Sequence, residues 1–512
     1  MKTNRTKNSI LNLIAMIINT AVISILALVS TNLILKNYGS DFNGVVATAN
    51  QFVNLLLIIE GGFTTAINVA LYKPFVDGDV KKINAIMSAA KKTFFKIGTI
   101  FLFLGVLISV VYPVVIKSEL PYVTILLIFL MVMIGSAYNL TFVMRSQIMF
   151  QVSQREYIYT IFSIIVNVLS NLTTIILAYN KVNMLIIRFS ILLYIILNGI
   201  MVYIAFKKVF KNVDTNVEAD YNSIKGTKDL IVQKLTSVLY LSAPLLFIST
   251  FISTAVGSIY AVYSSIYNIV KSVLASVNAA PVNGFGQLLS KGKNKEVYNK
   301  FKLYEYIIIV ASTILIASVL GVIIPFIKLY TAELKDINYS NWGIAILLSM
   351  VSFLEVIHIP SGNIINVTGN FKVARKIQTL ASILIVLLLC IGGYFFGIYG
   401  VLAANLITNI VLVVLEVWYA HAKIFESNIC NYFIKFVVNL FLIFGLVYIS
   451  NSFSDYIDSY IRFFMFGAVE FVVNSIIIVF VNSIFFGREI KAMFGIIFNF
   501  LNKKKIYKSV DM

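Results

Sequence analysis

The sequence is poor in what soluble chemistry mostly uses. Only 12% of its 512 residues are charged, and it holds just two histidines, two cysteines and seven prolines. So few His and Cys residues form no cluster with metal-ligand spacing, so no metal site is expected. Cys390 stands inside an apolar run and Cys430 in a short loop, which gives no reason to pair them. The chain has no phosphate-binding glycine loop ending in Lys-Ser/Thr and no nucleophile elbow. ATP hydrolysis within this chain is therefore not expected, nor an enzyme of those classes, nor a cofactor. Acidic residues are scarce as well, 22 against 41 Lys and Arg, for a net charge of +19. In a soluble protein that imbalance would point to nucleic acid. Here the cations sit in short loops between apolar runs, where membrane topology accounts for them, so no nucleic-acid partner is expected.

What the sequence has in quantity is apolar surface: 59% hydrophobic residues and a mean hydropathy of +0.91. Fourteen apolar segments reach spanning length. They cover roughly residues 10–35, 43–72, 93–116, 122–144, 157–180, 184–206, 230–253, 257–281, 304–327, 342–366, 377–397, 399–420, 432–450 and 462–486. The first is longer than the apolar core of a signal peptide and no small-residue cleavage site follows, so an uncleaved anchor is expected. Most Lys and Arg fall in alternate loops, including Lys81, Lys82, Arg155, the 207–228 group, Lys372, Arg375 and Lys376. The positive-inside rule makes that side cytoplasmic, with both termini inside.

Two local matches point to an internal repeat. Gly39-Ser40 aligns with Gly257-Ser258, and Lys207-Lys208-Val209-Phe210 with Ala422-Lys423-Ile424-Phe425, at an offset of about 215 residues. The expected plan is all-α: a six-helix lobe (1–210), a cytoplasmic linker (211–229), a second six-helix lobe (230–425), two further helices (426–486) and a basic cytoplasmic tail (487–512). Two like-oriented halves are a transporter plan, with substrate bound between them near the midplane.

Polar residues inside spanning segments mark the candidate site. In the second segment, read as one long helix, Asn50, Asn54, Glu60, Gly61, Thr64, Thr65 and Asn68 share one half of a helical wheel; Phe52, Leu55, Leu56, Ile59, Phe63 and Ile67 fill the other. The eighth segment repeats the pattern with Tyr260, Ser264, Ser265, Tyr267, Asn268, Lys271, Ser272 and Ser276. The first does so more narrowly with Asn8, Asn12, Asn19 and Ser30. These helices are expected to face a common aqueous cavity; interhelical hydrogen bonding is the plainer reading. Lys271 is a candidate phosphate ligand or else half of a salt bridge to Glu60 or another helix. Lys234 and Arg145 are further anion-binding candidates, although interfacial snorkelling or topology accounts for them equally; Arg155 and Arg188 are weaker ones. Glu60, and Glu355 with His358 at i and i+3, are candidates for carrying a coupling ion, against a satisfied polar kink as the alternative.

Several motifs resemble a known family. Ile59-Glu60-Gly61-Gly62-Phe63 followed by Leu71-Tyr72-Lys73-Pro74, preceded by Asn37-Tyr38-Gly39-Ser40-Asp41-Phe42-Asn43-Gly44, is similar to the second-helix region of Gram-positive polysaccharide flippases. These belong to the multidrug/oligosaccharidyl-lipid/polysaccharide exporter superfamily. The resemblance implies movement of an undecaprenyl-diphosphate-linked oligosaccharide from the cytoplasmic to the outer leaflet by alternating access. It also implies a lateral groove for the lipid tail beside the last two segments. The expected partners are that glycan lipid, membrane lipid, H+ or Na+, and glycan polymerase or assembly proteins. The rival readings are a cation-coupled multidrug antiporter, which would favour an acidic cavity, and a membrane glycan polymerase or ligase, which would need a large external loop that the sequence lacks.

Overall fold

The computed structural model describes residues 5–60, 62–224, 228–289 and 294–495, and every regular element among them is helical. Eleven helical stretches among the described residues are long and apolar enough to cross a membrane. Their outward faces carry exposed Phe103, Val114, Phe441, Ile461 and Phe464, the pattern of a multi-pass membrane protein whose solvent is lipid. Two stretches, 18–60 and 371–424, each take in two of the apolar segments. They fold at Gly39 (φ +83°) and Gly397 (φ +57°), backbone conformations that strain any residue with a Cβ.

The contacts divide the chain into two units. The first comprises residues 1–262, 333–337 and 386–401. It contains α1 (Arg5–Leu56), α2 (Phe63–Asp77), α3 (Val80–Val115), α4 (Tyr122–Tyr138), α5 (Met144–Val152), α6 (Glu156–Tyr179), α7 (Met184–Val209), α8 (Lys228–Phe247) and the start of α9 (Thr254–Leu289). Its core gathers Phe42, Phe94, Phe101, Phe129 and Phe150, all fully buried. Asp79 caps α3 and Asn183 caps α7, each accepting a backbone N–H of the first turn at 2.9 Å. At the Gly39 break, Asp336 accepts the Ser40 N–H at 2.7 Å, capping the second half of α1. That half crosses the start of α9 where Gly44 lies against the Thr254 carbonyl. There Asn43 donates to Ser258 Oγ at 2.7 Å, across 215 positions of sequence.

The long helix expected over 42–72 is broken. Leu57–Glu60 tighten into a 3-10 turn, and Gly62 enters the left-handed region (φ 78°) before α2 begins. The polar half-wheel reads through this break without seeing it, because periodicity reports side chains and not the backbone freedom of Gly62.

The second unit comprises 263–332, 338–385 and 402–512. It holds the rest of α9, α10 (Asn294–Tyr330), α11 (Trp342–Ile357), α12 (Ile359–Val367), α13 (Phe371–Leu388) up to residue 385, α14 (Tyr394–Trp418) from residue 402, α15 (Cys430–Asn451) and α16 (Tyr460–Phe485). α10 is its hub, packing on α11, α12, α15 and α16. Pro360, in the first turn of α12, ends α11 beside it. Buried Asn439 of α15 and Asn482 of α16 exchange amide hydrogen bonds at 3.2 Å.

Candidate substrate and ion sites

In the first unit the polar side chains of α1 meet those of α6. Thr160, Ser163, Ser170 and Thr174 recur at helical spacing on α6 and are buried, while Ile161, Ile165, Leu169, Leu172 and Ile176 are exposed. The helix is inside-out relative to a soluble one. Asn12 Oδ1 accepts the Tyr157 N–H at 2.7 Å, and Ser30 Oγ donates to Asn171 at 3.1 Å. Interhelical hydrogen bonding therefore accounts for those two residues. Asn8 has its side chain outside the described residues. Asn19 does something else: it lines a cavity of about 400 Å³ with Asn139, Tyr159, Thr160, Ser163, Asn167, Ser170, Tyr194 and Asn198. Among the described residues, no charged side chain lines this cavity. Asn139 enters it from a single π-turn at 139–143, a local underwinding that re-aims side chains.

The other first-unit candidates lie apart from the cavity. Asn50 and Asn54 are exposed on α1, and Asn54 donates to Gln51 at 3.3 Å. Glu60 is only 4% exposed, and its carboxylate accepts the Thr64 N–H at 2.6 Å, capping α2 across the glycine break. Asn68 donates to Gln151 at 3.1 Å. Arg145 stacks over the Tyr203 ring at 5.7 Å, with Lys207 over the same ring at 6.0 Å. Arg188 stacks on Phe42 at 5.2 Å, and Arg155 precedes α6. Lys234 falls in α8, with its side chain outside the described residues.

The second unit concentrates charge. Lys271 Nζ sits 2.8 Å from Glu355 Oε2, so the phosphate candidate and the ion-coupling candidate form one ion pair across α9 and α11. The side chains are 28% and 13% exposed. Asn268, three residues before Lys271 on α9, is exposed. The i, i+3 pair Glu355 and His358 is divided between partners: His358 Nδ1 meets Glu416 Oε2 at 2.8 Å. A further pair lies deeper. Glu305 and His421 are both 4% exposed and 2.9 Å apart, and Ser361 donates to the other Glu305 oxygen at 2.9 Å. Both histidines of the chain thus rest on carboxylates of neighbouring elements. Gly362 lets Glu416 approach α12, since a Cβ there would lie 2.8 Å from Glu416 Oε2.

No protein-family model and no curated protein matches the chain. Solved structures do. An inward-facing multidrug resistance MATE family transporter of the MOP superfamily matches with a TM-score of 0.64 at 11% identity, over 79% of this chain and 95% of that one. The lipid II flippase MurJ in an inward closed conformation matches with a TM-score of 0.65 at 14% identity, over 92% and 98%. The chain has the MATE and MurJ transporter fold. The eukaryotic MATE transporter AtDTX14 matches as well, with a TM-score of 0.56 at 15% identity, over 80% and 94%.

Sequence reasoning missed two parts of this MATE/MurJ-fold chain. The α6 stripe was readable: Thr160, Ser163, Asn167, Ser170 and Thr174 alternate spacings of three and four. The Glu305–His421 pair was not, because 116 positions separate its members and nothing local marks them as partners.

Proposed function

We propose that this MATE/MurJ-fold chain is a flippase of the bacterial cytoplasmic membrane. It moves an undecaprenyl-diphosphate-linked oligosaccharide from the cytoplasmic to the outer leaflet by alternating access, for cell-surface polysaccharide synthesis. The proposal takes the topology as fourteen spans with both termini inside, in two six-helix lobes plus two helices.

One observation carries the reading: an intramembrane lysine, part-exposed, paired with a single part-exposed carboxylate. A diphosphate is a stronger partner for the ammonium than Glu355 is, because it brings more charge and more acceptor oxygens. As it takes Lys271, Glu355 loses its counter-charge, and leaving that carboxylate without a partner is costly, so the ion pair re-forms once the headgroup leaves. Headgroup binding and the Lys271–Glu355 pairing therefore exclude one another. Arg145 and Lys207 on Tyr203 offer a second cationic surface for anionic headgroups.

The multidrug reading draws equal support from the fold, since solved MATE transporters share it. A cationic drug, however, gains nothing from Lys271. The deciding experiment reconstitutes the protein with lipid-linked oligosaccharides from a Gram-positive host and reads headgroup sidedness with an impermeant lectin. Protein-dependent transfer under an imposed proton gradient, lost in Lys271→Ala, supports the flippase. Absence of transfer under proton and sodium gradients alike, with export of a fluorescent cation intact, replaces it with the antiporter.

A further inference from the structure

We propose that the cavity among α1, α6 and α7 is a subsite for a neutral sugar ring, and that charged sugars are excluded from it. The inference rests on the flippase reading and specifies which part of the glycan this unit handles.

The lining supplies amides and hydroxyls, the groups that match sugar hydroxyls in both donor and acceptor roles. Asn19 Oδ1 and Asn198 Oδ1 are buried and have no hydrogen-bond partner among the described residues. They are acceptors waiting for donors, and a hydroxylated ring brings donors at several positions. Of the lining residues, Asn167 and Asn139 are exposed, while Thr160 and Ser170 are buried. At about 400 Å³ the cavity falls within the usual size of small-ligand pockets.

The absence of charge among the lining residues decides the class. A uronic acid carboxylate placed here would lose water and meet no cation, and an amino sugar's ammonium would meet no carboxylate. A phosphate would fare worse still. An apolar drug would strand the Asn oxygens without partners. A neutral ring brings hydroxyl donors to them without burying an unpaired charge.

Saturation-transfer NMR on the purified full-length protein in nanodiscs tests this with three probes: methyl glucoside, N-acetylglucosamine and glucuronate. Asn198→Leu fills the cavity and removes an acceptor; Asn167→Ala trims an exposed lining residue and serves if the first variant misfolds. The expected result is saturable binding of a neutral sugar, no binding of glucuronate, and affinity weakened about tenfold in Asn198→Leu and about threefold in Asn167→Ala, the range for lost hydrogen bonds. Glucuronate binding as strong as that of the neutral sugars overturns the proposal, as does neutral-sugar binding that both variants leave unchanged, or no neutral-sugar binding at all. Headgroup transfer in proteoliposomes separates the two readings. If transfer depends on Lys271 while sugar binding is absent, the subsite fails and the flippase stands. If transfer is absent while the sugar binding is as expected, the flippase reading fails on its own.

Discussion

The two units solve the problem of polar groups in a membrane protein in opposite ways. The first builds an uncharged cavity from amides and hydroxyls at one face of α6, and leaves two Asn oxygens unmatched. The second carries, among its described residues and besides exposed pairs, four pairs in which at least one member is buried or half-buried: Lys271–Glu355, His358–Glu416, His421–Glu305 and Lys435–Glu489. An unmatched amide inside a membrane costs less than an unmatched charge. The difference teaches that the neutral surface is free to meet a ligand directly. The charged surface must exchange partners to do so.

The comparison can be broken most sharply at Lys271. Lys271→Ala is expected to abolish headgroup transfer and to lower the thermal midpoint by leaving Glu355 without its partner, a cost of about 3 kcal/mol at most for so accessible a pair. Adding Glu355→Gln should restore the midpoint and not the transfer; recovery of transfer would show that neither group handles substrate. Next comes Gly44→Ala in the first unit. Its Cβ would fall 1.8 Å from the Thr254 carbonyl oxygen. A loss of about 3 kcal/mol or more is expected by denaturation, against a slight gain for Gly445→Ala, where nothing lies within 4 Å.

His421→Phe leaves Glu305 buried beside Ser361 and should cost about 2 kcal/mol at neutral pH, recovered in part by adding Glu305→Gln. If the single and double variants melt alike, the pair carries no coupling and the contrast between units weakens. A smaller effect is expected outside the membrane. Asp220 of the linker accepts from Lys82 at 2.6 Å, and that hydrogen bond, with those of Ser223, holds its pKa down to about 2. The folded value lies below the unfolded one, so the contribution is whole above pH ~4 and fades as pH falls through that window. Proteolysis of the linker should therefore accelerate between pH 4 and 2, and Lys82→Ala should remove that dependence. Least of all, Lys36→Ala should change stability by under about 0.5 kcal/mol, because Lys36 and Glu333 form an exposed pair.

The sequence carried the helical membrane class clearly, since long apolar runs admit few other structures. It also carried Lys271, Glu355 and Asn19 as polar residues out of place. It could not say that the first two are partners, because 84 positions separate them and each was explicable alone. Glu60 was legible as a buried acid but not as a helix cap, since that role depends on the break at Gly62. The two-lobe division read from the repeat is a separate matter from the two contact units, in which α8 and the start of α9 belong with the first. Repeats are read from sequence offsets, and contact units from the packing that chain crossovers produce.

The inside-out character of α6 bears on how the chain enters the bilayer during synthesis. A segment with Thr160, Ser163, Asn167, Ser170 and Thr174 along one side partitions into lipid less readily than its neighbour α7, whose central run from Ile191 to Ile196 is apolar but for Tyr194. Only residues 180–183 separate the two helices. The order of insertion expected is therefore a hairpin, with α6 held at the translocon until α7 emerges and both leave for the lipid together. Lengthening the 180–183 turn with a polar insert should strand α6 outside the membrane, and a glycosylation reporter placed in the insert would record it.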